Sequence, residues 1–239
     1  FTLASYENKR YADSIADFEA KKSVDTLAFG LTGDFRDSLA GGGVSSPTDP
    51  LEGTQFSLDE LRAAVEEAEA ANLYAMAHAY SPRAITRAVQ AGVRSIEHGN
   101  LLDVATARVM KAHGAYLVPT LVTYAALAAE GERLGWSTEM LTKLDKVRAA
   151  GLESVRIARA EGVPVVFGTD LLGHMHVQQN AEFGIRLQAM GPVEVLQSAT
   201  ITAARLLRAE GQIGQLLPGA WADLLVVDGL MTLTAGMDV

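Results

Sequence analysis

The sequence predicts an α/β protein of parallel strand–helix units, the pattern of a TIM-type (β/α) barrel that is short at its front. Two observations predict it. Apolar runs begin near residues 73, 93, 116 and 163, each of a length that suits a buried strand and each followed by helical sequence. Caps and glycines punctuate the helices between them. A closed eight-fold barrel takes about 250 residues, yet the chain has 239 and leaves room for only one or two units before residue 78. The expected architecture is therefore an incomplete or rearranged barrel.

Taken in order, residues 1–40 form an atypical amino-terminal segment, with a helix expected across Tyr11–Lys22 and a short strand at Thr26–Leu31. Composition then shifts at Gly41-Gly42-Gly43, and the run to Pro50 has the glycine, serine and proline of a loop, either over an active site or a plain connector. Ser57 and Glu60 make a capping box for a helix to about Ala71, with Leu58, Leu61, Ala64, Val65 and Ala68 on one face. Leu73–Ala77 and Val93–Ile96 are strands, and Pro82–Gly92 is the crossover helix, stopped by Gly92. Asp103 caps a helix to His113, where a histidine in the last turn complements the helix dipole. Tyr116–Leu121 is a strand whose Pro119 marks its end, and helices follow over Tyr124–Leu134 and Thr138–Arg159. Val163–Phe167 is the next strand, with helices at Glu182–Met190 and Pro192–Arg208 beyond it. A turn at Gly211–Pro218 precedes a last strand at Ala222–Asp228.

The chemistry gathers at strand ends. In parallel strand–helix units, residues at the carboxyl ends of successive strands project into a common mouth. His78 and His98 close two of the runs and Asp170 follows a third, so two imidazoles and a carboxylate converge there. That set suits Zn²⁺ or another divalent first-row metal. Attack by metal-bound hydroxide on a polarised carbonyl follows, with Asp170 as general base and then proton donor to the leaving group. His174 and His176, one residue apart, have a spacing that suits a metal and are accessory candidates, or belong to a polar loop at the mouth.

Bulk properties remove several functions. A formal net charge of −9 disfavours nonspecific binding to nucleic acid or an anionic membrane, since both need a basic face. With no cysteine, any zinc is held by histidine, carboxylate or water. Hydrophobic content of 49% is ample for a packed core. No run approaches a membrane span and no signal peptide is visible, which predicts a cytoplasmic location. The first residue is Phe1 and not methionine, which points to a fragment or a processed chain.

Ala77-His78-Ala79-Tyr80, Ser95-Ile96-Glu97-His98-Gly99-Asn100, Val118-Pro119-Thr120-Leu121 and Phe167-Gly168-Thr169-Asp170 resemble the strand 5, 6, 7 and 8 motifs of the amidohydrolase superfamily. Residues 214–228 are similar to that family's return from the barrel into a small β-sandwich domain, so 41–212 reads as partial barrel and 213–239 as a strand remnant of the sandwich. The glycine loop at 43–50, the His78-Ala79-Tyr80 triplet and the segment 121–135 resemble most closely the imidazolonepropionase-like branch that includes Xaa-Pro dipeptidases. The resemblance implies one or two zinc ions, with His78 and His98 on one metal and Asp170 contacting the other. Tyr80 by similarity binds a substrate carboxylate or carbonyl, or is simply a mouth tyrosine. Family members also carry a His-x-His at strand 1 and a bridging lysine at strand 4; no His-x-His precedes residue 78, and register against the glycines puts Asp37 in place of the lysine, as a shorter bridging carboxylate. The implied activity is hydrolysis of an amide bond in a small substrate, foremost a dipeptide with C-terminal proline. The alternative is a non-catalytic barrel remnant that serves packing or self-association, its exposed edges covered by a homo-oligomer.

Overall fold

The computed structural model describes residues 27–28, 40–46, 49–131, 133 and 135–223. Among them, four strands form one parallel sheet in chain order: β1 (Leu27–Ala28), β2 (Ala75–Ala79), β3 (Ser95–His98) and β4 (Tyr116–Val118). The helices are α1 (Leu58–Ala70), α2 (Pro82–Ala91), α3 (Val104–Ala112), α4 (Leu121–Glu130), α5 (Thr138–Glu161), α6 (Ala181–Arg186), α7 (Pro192–Ala199) and α8 (Ile201–Leu206), with a 3₁₀ turn at Gly173–Gln178. The predicted helix at 11–22, most of the expected strand at 26–31, Asp37 and the strand residues 224–228 lie outside the described residues; Ala222 and Asp223 are described and are not in a strand.

Local chemistry places these elements. The Ser57 hydroxyl accepts from Glu60 N–H while the Glu60 carboxylate accepts from Ser57 N–H, closing the capping box of α1. The side chains of Ser81, Asp103 and Ser137 cap α2, α3 and α5 by accepting the N–H groups of Ala84, Thr106 and Met140, without the returning bond. Gly92 and Gly162 end α2 and α5 in the left-handed region, at φ 106° and 75°. Along β2 the alanines 75, 77 and 79 face the helices, and these small side chains let Ala84, Ile85, Ala88 and Val89 of α2 pack directly on the strand.

Several boundaries differ from expectation. β2 and β3 each start two residues later than their apolar runs and run on past them, so His78 is the last residue but one of β2 and His98 the last of β3, both paired in the sheet. In register, His78 pairs with Glu97 and Ala79 with His98. β4 ends at Val118, before Pro119, and α4 starts at Leu121, earlier than predicted. Val163–Phe167 contributes one parallel bridge, Leu117 to Val165, carried by Leu117 N–H on the Pro164 carbonyl (3.0 Å) and Val166 N–H on the Leu117 carbonyl (2.8 Å). The helix expected over 192–208 breaks at Thr200, whose hydroxyl turns back to the Leu196 carbonyl at 2.8 Å and whose own carbonyl is backed by Gly214. His113 is the residue after α3, with its ring nitrogen on the Val109 carbonyl.

A fully buried ion pair ties the end of the sheet to the helices. Arg186 Nε donates to Glu182 at 2.6 Å, and Arg186 also donates to the Val166 carbonyl (3.0 Å) and lies over the Phe167 ring. Glu182 accepts the Val122 N–H at 2.6 Å, so it caps α4 from a distant helix. Burial pushes the Glu182 carboxyl upward; Arg186 and the N–H groups of Val122 and Leu121 pull it back. Removing one partner strands the other charge in the core. Glu182→Ala or Arg186→Ala is expected to lose about 3–5 kcal/mol in urea unfolding, whereas Glu182→Leu with Arg186→Met loses much less. A loss under about 1 kcal/mol in both single variants contradicts this assignment.

Candidate active site

Three strand-end positions bend into the left-handed region: His98 at φ 76°, Thr120 at 46° and Asp170 at 51°. For a β-branched residue such as Thr120 this backbone is an outlier, and each bend costs about 1–3 kcal/mol. Two of these bends, at His98 and Thr120, bring their side chains into contact at 2.8 Å.

His98 is the centre. Its Nε2 lies 2.8 Å from His78 Nδ1, and its Nδ1 lies 2.8 Å from the Thr120 hydroxyl. Tyr80 stacks on its ring at 4.9 Å and 6°, and Tyr124 meets it edge-on at 5.9 Å. The Tyr124 hydroxyl donates to the Tyr80 hydroxyl at 3.3 Å. Burial, with the neighbouring His78 second, holds His98 well below the usual histidine range, so the ring is neutral near pH 7. Burial likewise raises Tyr124, with further contributions from Tyr80 and the charge of Asp170.

The glycine-rich loop covers this group. Val44 and Leu51 share one apolar cluster with Tyr80, Tyr124, Leu144 and Val147, which favours the active-site reading of the loop over the plain connector. Gly42 admits no side chain, since a Cβ there would lie 1.9 Å from the Pro50 carbonyl oxygen. Lys143 of α5 holds the loop from outside, donating to the carbonyls of Ser46 (2.9 Å) and Asp49 (2.6 Å). Behind the site, a Cβ on Gly151 would lie 2.7 Å from Leu121 Cδ2 and 3.1 Å from Asn100 Nδ2, so the glycine lets α5 approach α4.

The other predicted residues are placed as follows. Asp170 is exposed, its carbonyl accepts from the Thr123 hydroxyl at 3.0 Å, and its carboxylate acts electrostatically on Tyr124. His174 and His176 sit on the exposed 3₁₀ turn, where His174 meets Glu130 at 2.9 Å and Arg133 at 2.9 Å. Among the described residues no three of His, Cys, Asp and Glu come together as a metal group, while His78 and His98 face each other directly. The pair fits a metal as two ligands. Tetrahedral zinc with Zn–N bonds of about 2.0–2.1 Å separates two nitrogens by about 3.3 Å, about half an ångström more than the observed hydrogen bond. Thr120 and Tyr124 complete the site; both lie in the family-like stretches 118–121 and 121–135, yet the sequence assigns neither a role of its own.

A model of the amidohydrolase family matches residues 10–238. The chain belongs to the amidohydrolase family. The family's fold is TIM-barrel-like α/β, in agreement with the parallel sheet and its helical crossovers. The chain is 49% identical to a prolidase solved in complex with N-methylphosphonate-L-proline, with a TM-score of 0.81 over 90% of this chain and 50% of that one. A Xaa-Pro dipeptidase with bound methionine in its active site is 30% identical, with a TM-score of 0.69 over 77% of this chain and 46% of that one. Ochratoxinase of Aspergillus niger is 31% identical over 192 residues, 80% of this chain and 40% of its own length. The amidohydrolase chain thus spans about half the length of these relatives, or less.

The loop restraint can be tested directly. Lys143→Met removes both charged hydrogen bonds, worth roughly 1.5–3 kcal/mol each. The amides of Gly42 and Gly53, which close the loop on the Gly53 and Pro50 carbonyls, are expected to exchange with deuterium at least about tenfold faster. Unchanged exchange contradicts the restraint.

Proposed function

We propose that this chain carries part of a metal-dependent amide hydrolase whose substrate is a dipeptide with C-terminal proline or a related small acyl compound. The observation that carries the reading is the facing pair His78 Nδ1 and His98 Nε2, at the ends of adjacent parallel strands in a chain of the amidohydrolase family. Kinship to a prolidase and a Xaa-Pro dipeptidase supports the dipeptide class. On this reading the barrel is incomplete within the chain, residues 41–212 supply its later strands, and residues 213–239 return toward a small sandwich domain.

His78 and His98 hold the cation, zinc or another divalent first-row metal, one ion or two. The cation supplies polarisation of the scissile carbonyl and activation of water. Asp170 contacts the metal site and moves the proton, first as base and then as acid to the leaving nitrogen. Tyr80 orients the substrate's carboxylate or carbonyl from its stacked position on His98. Asp37 is the proposed bridging carboxylate, and His174 and His176 are accessory candidates at the rim.

Metal analysis of the purified chain paired with dipeptide hydrolysis tests this. Zinc is expected in the parent and lost in His98→Ala along with turnover. Asp170→Asn is expected to retain zinc and lose about 10²–10⁴-fold in kcat with KM little changed. A parent that binds no divalent metal, or His98→Ala with full turnover, rejects the proposal.

A further inference from the structure

We propose that a recess at the opposite end of the sheet from His78 and His98 binds a phosphate group between Arg94 and Arg208. The recess has a volume of about 190 Å³ and lies where β2 and β3 begin and α1, α2 and α3 end, with Leu73, Tyr74, Gly92, Arg94, His113 and Arg208 among its walls. Both guanidinium carbons lie 5.5 Å from the centre of the Tyr74 ring, so they are at most twice that distance apart. Neutral acceptors hold them there. Arg94 donates from Nε to the Leu206 carbonyl (3.3 Å) and from Nη2 to the Arg205 carbonyl (3.0 Å), and Arg208 donates from Nη1 to the Asn72 carbonyl (3.2 Å). Among the described residues neither arginine has a carboxylate partner, and Glu69, the one acidic side chain on the wall, pairs with neither.

Bonds to carbonyls orient a guanidinium and leave its charge uncompensated. Two such charges match a phosphate dianion, and the guanidinium fork suits its oxygens. The N–H groups of Arg94 Nη1 and of Arg208 Nε and Nη2 make no bond to the described residues and remain for it. The carbonyl ends of α2 and α3 do not compete, since Val93 N–H takes the Ala88 carbonyl and Ala115 N–H the Met110 carbonyl. The backbone gives an independent sign. Arg208 follows α8 in the left-handed region at φ 56°, with Ala209 N–H on the Ala204 carbonyl at 2.9 Å, a place where helices usually carry glycine. Asn72, whose carbonyl holds Arg208, is left-handed too, at φ 59°. An arginine in a glycine's place is strained without local return, and its side chain lines this recess. Gly114 keeps the mouth open, because a Cβ there would meet nothing within 4 Å.

Titration of the chain with inorganic phosphate, followed by ¹H–¹⁵N NMR at about pH 8 where the dianion dominates, tests the site. Saturable shifts are expected at the amides of Gly92, Arg94 and Gly114, which line the recess, and not at those of His78 and His98. Arg208→Gln removes one charge at an exposed position and is expected to weaken binding at least about tenfold. Acetate at matched ionic strength is expected to give no saturable shift. Parent shifts that grow without saturating overturn the proposal, as does Arg208→Gln with the parent's affinity, or acetate bound as tightly as phosphate. If Arg208→Gln does not fold, the parent titrations with phosphate and acetate decide. Methyl phosphate bound as tightly as inorganic phosphate supports the site with a phosphate ester as its ligand; binding at least about tenfold weaker supports it with the free ion.

Discussion

The site depends on left-handed backbone at the ends of strands. At His98, Thr120 and Asp170 the chain leaves the strand direction through a region that side chains with a Cβ occupy at a cost of about 1–3 kcal/mol each. Such bends persist only where the surroundings over-determine them. At His98 the following Gly99 is also left-handed, and a Cβ on it would come within 2.4 Å of Leu117 Cδ1. At Thr120 the next residues are locked by Glu182, which takes the Val122 N–H. At Asp170 the carbonyl accepts from the Thr123 hydroxyl in the first turn of α4.

The buried Glu182–Arg186 pair links these supports. One end of it caps α4, and the other holds the Val166 carbonyl and the Phe167 ring just before Asp170. Core burial drives the collapse, with the alanines of β2 and the apolar face of α2 in contact. It is non-directional and cannot set a bend. Directional bonds to buried charge do that, since any misplacement leaves a charge or an N–H without a partner in a low-dielectric core.

Much of the fold was legible in the sequence. Caps such as Ser57 with Glu60, stops such as Gly92, and Pro119 beyond β4 mark boundaries by local bonding, which depends little on the rest of the chain. Strand ends were less legible. Apolar runs report burial and not pairing, so Leu73–Ala77 pointed two residues too early and left His78 outside a strand it belongs to. The break at Thr200 was hidden because helical periodicity continues through it, and the hydroxyl's turn back to Leu196 is seen only in three dimensions. Within the site, His78 and His98 stood out by residue type at strand ends. Thr120 and Tyr124 did not, because hydroxyls and tyrosines are common and only their shared contact with His98 gives them meaning.

The central claim is that His78 and His98 form a preorganised pair of ligand nitrogens. X-ray absorption at the zinc K-edge, on the chain loaded with one equivalent of zinc, tests it most directly. The account predicts imidazole scattering from two nitrogens at about 2.0–2.1 Å, lost when both His78 and His98 are replaced by alanine. Imidazole scattering that survives the double replacement, or none in the parent, contradicts it.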